Sequence, residues 1–230
     1  MTDLLIIVPA RGKSKRLPRK NLRALAGRTL LERTQDAIEE SGLDAPCLLT
    51  TDDEEIAEAG RRLDWLVPFL RPAELAHDSV PTTPAVLHAL DWFAQSYGGD
   101  PVAVMVLQVT SPFRGGACLR RGIEMLAEVD SADAVVAVCK LPAQPGHIYL
   151  RDEPGLLIPV QEPQCQQALY VPNGALYLVR TPVLRALRTL SPPRTLGLVM
   201  GAVASIDIDT EEDWMLAEAV AGRLGPGRRE

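Results

Sequence analysis

Seven short apolar runs recur along the chain, and apolar residues return every three or four positions in the stretches between them. The runs have the length of strands and cover residues 4–8, 47–51, 65–69, 102–108, 134–138, 174–179 and 198–206. The stretches between them have the spacing of helices that bury one face, and Gly42 is a stop signal for the first. This alternation predicts an α/β fold with a doubly wound, mostly parallel sheet.

Residues 140–172 interrupt the alternation. They contain six prolines, which exclude a regular helix, and short β-like pieces such as HIYL and LLIPV. We therefore expect residues 1–230 to form one domain, with residues 140–172 leaving the sheet as an inserted arm that is available for a subunit contact. Residues 222–230, which are rich in glycine and arginine, predict a frayed tail.

Composition narrows the class of protein. Hydrophobic residues make up 47% of the chain but aromatic residues only 4%, as expected for aliphatic strands buried between helices. No apolar run approaches the roughly 18 residues of a membrane span, and no secretion signal is evident at the start. The four cysteines show no CxxC spacing and predict reduced thiols. We expect a cytoplasmic protein without a membrane partner.

The segment VPARGKSKRLPRKN, residues 8–21, follows the first predicted strand and contains the Gly-Lys-Ser of a P-loop. A P-loop also needs a glycine five positions earlier, where Ile7 stands. Eight of the 24 Lys and Arg lie between Asp3 and Glu32, without any acid, in a protein of net charge -6. So local a cluster indicates a compact polyanion and argues against nucleic acid, with a solvated basic loop as the alternative.

Carboxylates follow two of the predicted strands. Asp52 and Asp53 stand at the start of a helix, where N-capping explains at least one of them. Asp207 and Asp209 lie two apart in SIDIDT, so on a strand both would project to one face. Adjacent carboxylates repel unless a cation lies between them, which favours a divalent metal over the alternative of a helix cap. Together with the basic loop, the pair indicates metal-assisted chemistry on a nucleoside triphosphate.

Three further polar segments stand at strand or helix ends. QVTSPFR, residues 108–114, either offers polar groups to a ligand or forms a turn at Ser-Pro. Asn173 begins an Asn-Gly turn signal before a strand. Thr210 and Asp213 predict a capping box that opens the last helix.

On these residues, the chain resembles the CMP-N-acylneuraminate cytidylyltransferases, which activate sialic acids and related sugar acids. The matching stretches keep their order and spacing: PARGKSKRLPRKNL (9–22), TTDDEEIAE (50–58), RPAELAHDS (71–79), LQVTSPFR (107–114), PNGALY (172–177) and DIDTEED (207–213). The resemblance implies a Rossmann-like nucleotide-diphospho-sugar transferase fold and a homodimer built partly by the arm. It also implies transfer of CMP from CTP to the sugar acid, with release of pyrophosphate.

The resemblance assigns roles to residues by motif. Nucleotide-binding roles fall on Ala10, Arg11, Gly12, Ser14, Arg16, Lys20, Asn21 and Arg71. Lys20 and Arg11 are also assigned a catalytic role, which is to stabilise charge on the leaving pyrophosphate. Thr82, Gln108 and Asn173 match positions that face the small anionic acceptor. Asp207 and Asp209 match the catalytic pair that handles Mg²⁺ and the acceptor hydroxyl.

Three departures from the family pattern concern the acceptor side. Val109 replaces the proline of the usual QPTSP, and Val171 replaces an arginine two residues before the asparagine of the NGA turn. PQCQQ stands where a second arginine usually lies. Three hypotheses therefore stay open: a sugar-acid cytidylyltransferase, a related nucleotidyltransferase with another nucleotide or acceptor such as a phosphonate or sugar phosphate, and an inactive nucleotide-binding protein.

Overall fold

A computed structural model describes residues 3–12, 14–77, 79–142, 148–151, 156–159 and 168–224. The strands are β1 Leu4–Pro9, β2 Ala24–Leu25, β3 Arg28–Thr29, β4 Cys47–Thr50, β5 Ala103–Val106, β6 Ala134–Lys140, β7 Tyr149–Arg151, β8 Leu157–Pro159, β9 Tyr170–Arg180 and β10 Thr195–Val199. The helices are α1 Leu30–Ser41, α2 Glu54–Arg62, α3 Thr82–Tyr97, α4 Gly116–Glu128, α5 Thr181–Leu187 and α6 Glu211–Leu224. Short 3₁₀ turns lie at Lys20–Leu22 and Ala73–Leu75.

Six strands form the central sheet in the order β10-β6-β9-β5-β1-β4. Neighbouring strands pair in parallel except at β9, which is antiparallel to both β5 and β6. Because no described helix separates β6 from β9, the chain returns beside β6 in the opposite direction. Helices pack on both faces of the sheet, so the predicted doubly wound, mostly parallel α/β fold is confirmed.

The first strand shows why these apolar runs are continuous rather than alternating. Leu5 and Ile7 are fully buried in one apolar cluster, which also contains residues of α3 and α5. Ile6 and Val8 are fully buried in the other cluster, which contains residues of α1, α4 and α6. A strand that is covered on both faces needs apolar residues at every position, which explains the run LLIIV.

Caps close the helix ends at Gly42, Asp53 and Thr210, as predicted, and at Thr29, for which no cap was predicted. Thr29 begins α1 with a capping box, and Gly42, at φ 64°, ends it in the left-handed conformation. Asp53 caps α2 by accepting hydrogen bonds from two amides of its first turn. Before α6, Thr210 Oγ1 accepts from the Asp213 amide at 3.2 Å and the Asp213 carboxylate accepts from the Thr210 amide at 2.8 Å.

Three sequence predictions about elements are corrected by the structure. Residues 65–69 contribute a single β-bridge, Leu66 to Leu48, because Pro68 lacks the N–H that a longer ladder would need. The predicted strand 198–206 lies earlier, at Thr195–Val199, and a turn follows it. Residues 222–224 continue α6 instead of fraying.

The predicted arm is described in part. Residues 149–151 and 157–159 pair as an antiparallel hairpin, in agreement with the predicted β-like pieces. The remaining arm residues 143–147, 152–155 and 160–167, like residues 225–230 of the predicted tail, lie outside the described residues. Among the described helices, none is both long enough and apolar enough to cross a bilayer.

Candidate functional site

A cleft of about 530 Å³ opens where β1 and β5 end, which is where ligands of open α/β sheets bind. Most of the predicted site residues line it: Ala10, Arg11, Ser14, Arg16, Lys20, Asn21, Arg71, Thr82, Gln108, Asp207 and Asp209. Gly12 and Asn173 are not on the wall and lie behind it. The wall also contains residues without a predicted role: Pro9, Lys15, Leu75, Val80, Pro81, Val109 and Thr110.

The basic loop is held against the start of α2. The Gly12 amide donates to the Asp52 carboxylate at 2.9 Å, and the Asn21 side-chain amide donates to the Arg11 carbonyl at 2.9 Å. A Cβ atom at Gly12 would lie 2.5 Å from the Cβ of Asp53, closer than side chains approach. Glycine is therefore needed behind the loop, while the residues around it face the cleft.

Arg71 places a buried cation in the wall of the cleft. Arg71 is only 5% exposed. Its Nε donates to Thr50 Oγ1 at 3.1 Å, and its Nη2 donates to the Thr50 carbonyl. Desolvation lowers the pKa of Arg71 to about 10, and the charge of Asp52 opposes that shift. At neutral pH the guanidinium is therefore still charged, and it is fixed in position before any ligand arrives.

The beginning of α3 also faces the cleft. Residues 80–82 lie on the wall, and the 16-residue helix runs away from them. Its free amides and its macrodipole give this end partial positive charge. Together with the basic loop and Arg71, it makes this part of the cleft favourable for an anion.

Asp207 and Asp209 lie in an extended loop, and not on a strand as predicted. The Ile208 amide donates to the Thr110 carbonyl at 2.8 Å, and the Ile208 side chain is fully buried. This hydrogen bond holds the Ile208 side chain toward the core. Side chains of an extended chain point alternately to opposite sides, so the carboxylates of Asp207 and Asp209 line the cleft. The prediction that both carboxylates share one face is confirmed, although the strand that was to cause it is absent.

Asp209 is paired with two cations of the basic loop. It accepts from Lys20 Nζ at 2.8 Å and from Arg16 Nη2 at 2.5 Å, and Lys20 also donates to the Ile208 carbonyl at 3.0 Å. Burial by itself raises the pKa of Asp209, but Lys20 and Arg16 outweigh burial and hold that pKa below its ordinary value. Asp209 is therefore an ionised carboxylate whose charge is already balanced.

Asp207 has a different environment. Solvent reaches its side chain, yet the surrounding walls remove enough hydration to raise its pKa, and the negative charge of Asp209 adds to the shift. A hydrogen bond from the Thr110 hydroxyl and the charge of Lys20 act in the opposite direction. The two carboxylates are thus unequal: Asp209 is neutralised by direct partners and Asp207 is the more open base.

The two carboxylates suit a cation that shares its ligands with phosphate. Within the residues that the structure describes, no three Asp, Glu, His or Cys side chains come together as a metal site. Mg²⁺ at nucleotide sites, however, typically takes one or two carboxylates and completes its shell with phosphate oxygens and water. Asp207 and Asp209 therefore fit Mg²⁺ together with a bound triphosphate.

Behind the far wall, Asn173 and Gly174 form a bulge within β9, and not the turn that the Asn-Gly pair predicted, because the pairing of β9 with β6 shifts register there. The Asn173 Nδ2 donates to Ser205 Oγ at 2.9 Å, and its Oδ1 accepts from the Ala175 amide at 3.1 Å. Gly174 has φ 79°, and a Cβ atom there would lie 2.7 Å from Oε1 of Gln108. Asn173 thus holds the bulge against which the side chain of Gln108 rests.

Sequence reasoning missed the roles of Thr110 and Arg114. The QVTSPFR segment was noted as a source of polar groups at a strand end, but nothing local in the sequence distinguishes its members. Thr110 is singled out by its two contacts with the distant loop of Asp207 and Ile208. Such partners become apparent only when the fold brings the two loops together.

Comparison with known proteins shows which family the chain resembles along its length. A family model described as Cytidylyltransferase matches residues 5–141. The chain is 31% identical over 224 residues to the CMP-N,N'-diacetyllegionaminic acid synthase of Legionella pneumophila, covering 94% of each protein. It is 28% identical over 218 residues to an N-acylneuraminate cytidylyltransferase of Streptococcus agalactiae, covering 92% of this chain and 51% of that relative.

Two solved structures share the fold at low sequence identity. A CMP:2-keto-3-deoxy-manno-octonic acid synthetase complexed with CTP superposes with a TM-score of 0.69 at 15% identity, covering 96% of this chain and 99% of the other. A 4-diphosphocytidyl-2C-methyl-D-erythritol synthase from Anaerococcus prevotii gives a TM-score of 0.68 at 15% identity, covering 95% and 96% of the two chains. These likenesses establish the architecture on which the cleft is built.

Proposed function

Since the chain belongs to the cytidylyltransferase family of nucleotidyltransferases, we propose that it transfers CMP from CTP to an anionic sugar acid of the legionaminic or sialic type and releases pyrophosphate. The observation that carries the proposal is a single cleft that joins the cations of the basic loop and Arg71 to Asp207 and Asp209. Similarity to a legionaminic acid enzyme along 94% of the chain supports this class of acceptor.

The nucleotide would lie along the basic loop. The residues that would surround it line the wall of the cleft: Ala10, Arg11, Ser14, Lys15, Arg16 and Asn21. Lys20, Arg71 and the beginning of α3 would face its phosphates. Support comes from the hydrogen bonds that already fix Arg71 and the loop backbone in place. Donors that are fixed before the reaction stabilise transition-state charge without reorganising.

The reaction follows from these positions. The acceptor hydroxyl attacks the α-phosphorus as the bond to pyrophosphate breaks, and Lys20 and Arg11 stabilise the charge that grows on the leaving group. Lys20 keeps its bond to the Ile208 carbonyl when phosphate replaces Asp209 as its partner. The hydroxyl proton passes to a carboxylate, and Asp207 suits this role because it lines the cleft and Thr110 hydrogen-bonds to it.

Magnesium is part of the proposal. Asp207 and Asp209 are the residues that would hold it, since they line the same wall as the phosphate-facing cations. When bound, the metal supplies positive charge that neutralises the triphosphate and polarises it for attack. The chain's own contribution is to hold both carboxylates in an anchored loop beside Lys20.

The acceptor would occupy the part of the cleft near Thr82 and Gln108. A specific observation favours a second candidate for its identity: Val171, where related enzymes have an arginine, is 38% exposed on β9. An acceptor whose anionic group depends less on that arginine, such as a sugar phosphate or phosphonate, is therefore the alternative substrate class.

Quaternary structure and location are proposed on the sequence. The arm of residues 140–172 would supply much of the contact in a homodimer, because its many apolar residues need a surface to cover them. Leu156 at the hairpin is 67% exposed in the single chain, which supports this view. We place the enzyme in the cytoplasm on the basis of its scattered cysteines, which show no CxxC spacing.

Pyrophosphate release tests the proposal directly. Wild-type protein with Mg²⁺ is assayed against the four common nucleoside triphosphates and a panel of sialic, legionaminic and pseudaminic acids, sugar phosphates and phosphonates. Lys20→Ala should lose about 10²-fold or more in turnover, the scale of one strong charge stabiliser. Arg121→Ala, which removes an exposed arginine of α4, is the control and should keep full activity. Nucleotide binding without release for every acceptor would instead show an inactive binding protein.

A further inference from the structure

Arg114 is a fully buried arginine just outside the cleft. It ends the loop between β5 and α4, its residue is 1% exposed, and it is among the largest side chains buried to this degree. A buried guanidinium is costly unless its N–H groups find acceptors, so its partners show what the burial achieves.

The partners of Arg114 belong to three separate elements. Nη1 donates to the Gln108 carbonyl at 3.0 Å and to the Ala175 carbonyl at 2.8 Å, and Nη2 donates to Thr34 Oγ1 at 3.2 Å. One side chain therefore ties the loop after β5 to β9 and to α1. Such bonds from a charged donor are stronger than neutral ones, and the planar fork fixes their directions.

The two carbonyls belong to the segments that form the acceptor side of the cleft. The side chain of Gln108 lies on the cleft wall and rests against Gly174. Asn173 holds the same segment of β9 by accepting from the Ala175 amide. Arg114 thus binds the backbone on both sides of the contact between Gln108 and this bulge.

We propose that Arg114 is a positioning residue for the acceptor: it fixes Gln108 relative to the bulge of β9 at Asn173–Ala175 and so sets acceptor binding without touching the acceptor. The inference rests on the proposed function, which places the sugar acid beside Gln108. The nucleotide side is held by other contacts, namely the Asn21 bond to the Arg11 carbonyl and the Arg71 bonds to Thr50. We call the bonds from Arg114 to the Gln108 and Ala175 carbonyls the Arg114 clamp. Loss of this clamp should therefore weaken binding of the acceptor and leave binding of CTP unchanged.

Two substitutions separate the geometry of Arg114 from its charge. Arg114→Lys keeps the charge, but a single ammonium cannot reproduce the planar fork that reaches all three acceptors. Arg114→Met removes the donors and leaves buried carbonyls unpaired, so it is the variant at risk of not folding. Arg114→Lys keeps the proposal testable if that happens.

The structure offers a matched control in Arg180. It also bridges two backbone carbonyls, with Nε donating to Ala132 at 3.0 Å and Nη2 to Leu126 at 3.1 Å. It lies on the same strand β9 but at the opposite end from the cleft, where it pairs with Ala103 at the start of β5. Arg180→Lys should therefore lower stability without changing the KM of either substrate.

The experiment measures KM for CTP, KM for the best acceptor, kcat and Tm for wild type and both lysine variants. In Arg114→Lys the KM for the acceptor should rise about tenfold or more, since misplaced or unpaired polar groups carry costs of that size. Its KM for CTP should change less than about twofold, because the nucleotide side has its own contacts. An equal rise in both KM values, an unchanged acceptor KM, or the same split in Arg180→Lys would overturn the positioning role.

Backbone amide hydrogen exchange distinguishes failure of the clamp from failure of the proposed function. In Arg114→Lys, exchange should increase in residues 108–111 and 173–175 but not in residues 10–21. A wild type without turnover on any substrate pair would overturn the proposed function and the positioning role with it. An active wild type whose variant shows neither the KM split nor the exchange difference would overturn the clamp alone.

Discussion

Asp209→Asn is expected to bind CTP more tightly than wild type when no metal is present, although it should be a poor catalyst. Two ion pairs of Asp209 explain this unusual direction. Asp209 accepts hydrogen bonds from Lys20 and Arg16, and we propose that these two cations bind the triphosphate. The carboxylate and the nucleotide therefore compete for the same partners, and asparagine keeps the shape of the side chain while removing the competing charge.

The gain in free energy of CTP binding can be estimated from how exposed each ion pair of Asp209 is. Lys20 is 13% exposed and Arg16 66%, while Asp209 is 39% exposed. The Lys20 bond is charge-assisted and partly shielded, and is worth about 1–2 kcal/mol. The Arg16 pair is largely hydrated and adds about 0–1 kcal/mol. A total near 1.5 kcal/mol corresponds to a dissociation constant for CTP about tenfold lower in the variant.

Isothermal titration with CTP in EDTA at low salt measures the effect. Asp207→Asn is the matched control: it removes the same charge from the same loop, but Thr110 is the hydrogen-bonding partner of Asp207 and both Asp209 pairs stay intact. Its dissociation constant should change less than about threefold, because a carboxylate that acts through space is screened more strongly. The difference between the variants should shrink as salt is added.

Equal or weaker metal-free binding of CTP by a folded Asp209→Asn protein would refute the reasoning, because the pairs would then not be in competition with phosphate. The same tightening in Asp207→Asn would show that net charge alone is responsible. In Mg²⁺, turnover of Asp209→Asn should fall by about 10²-fold or more, which separates binding from catalysis.

Three further variants test other parts of the site. Gly12→Ala should weaken CTP binding and lower Tm, measured by titration and calorimetry, because its Cβ would meet the Cβ of Asp53 at 2.5 Å. Arg71→Lys should raise the KM for CTP about tenfold, since lysine cannot make both bonds to the backbone and side chain behind it. Exchanging Leu157 and Ile158 for Asp should give monomers of reduced activity; a wild type that sediments as a monomer at micromolar concentration would contradict the dimer.

Elements buried on two sides were the most predictable part of the fold. Strands β1, β4 and β5 were placed within about two residues, because burial on both faces leaves a continuous apolar run with polar residues at its ends. Helix α1 was bounded equally well, since Thr29 and Gly42 satisfy its free backbone groups.

Elements at the margin of the sheet were predicted less well. The last strand ends at Val199, seven positions before the end that its apolar content suggested. Residues such as Val203 and Ile206 are apolar because they pack as a turn against the core, a burial that does not impose strand periodicity. The antiparallel direction of β9 was not predicted either, because it depends on the connection from β6 and on no pattern within the strand.

The site residues were predictable by motif, but their pairing was not. Paired carboxylates in the sequence suggested mutual repulsion relieved by a metal. In the structure, Asp209 is already balanced by Lys20, which lies 189 positions away, and by Arg16. No local sequence pattern encodes a contact across that distance. The contact exists because β1 and the loop before α6 end at the same edge of the sheet.

This pairing explains how so many cations can share one loop of the proposed triphosphate site. A loop that holds Arg11, Lys15, Arg16 and Lys20 would repel itself if its charge had no counterpart, and Asp209 supplies one from across the cleft. On the proposed function, phosphate would replace Asp209 as the partner of these cations, which would leave Asp209 without a cation. Mg²⁺ fits that requirement, because it enters together with the phosphate oxygens it shares. Nucleotide and metal would therefore each favour the binding of the other, and the coupling would pass through this one carboxylate.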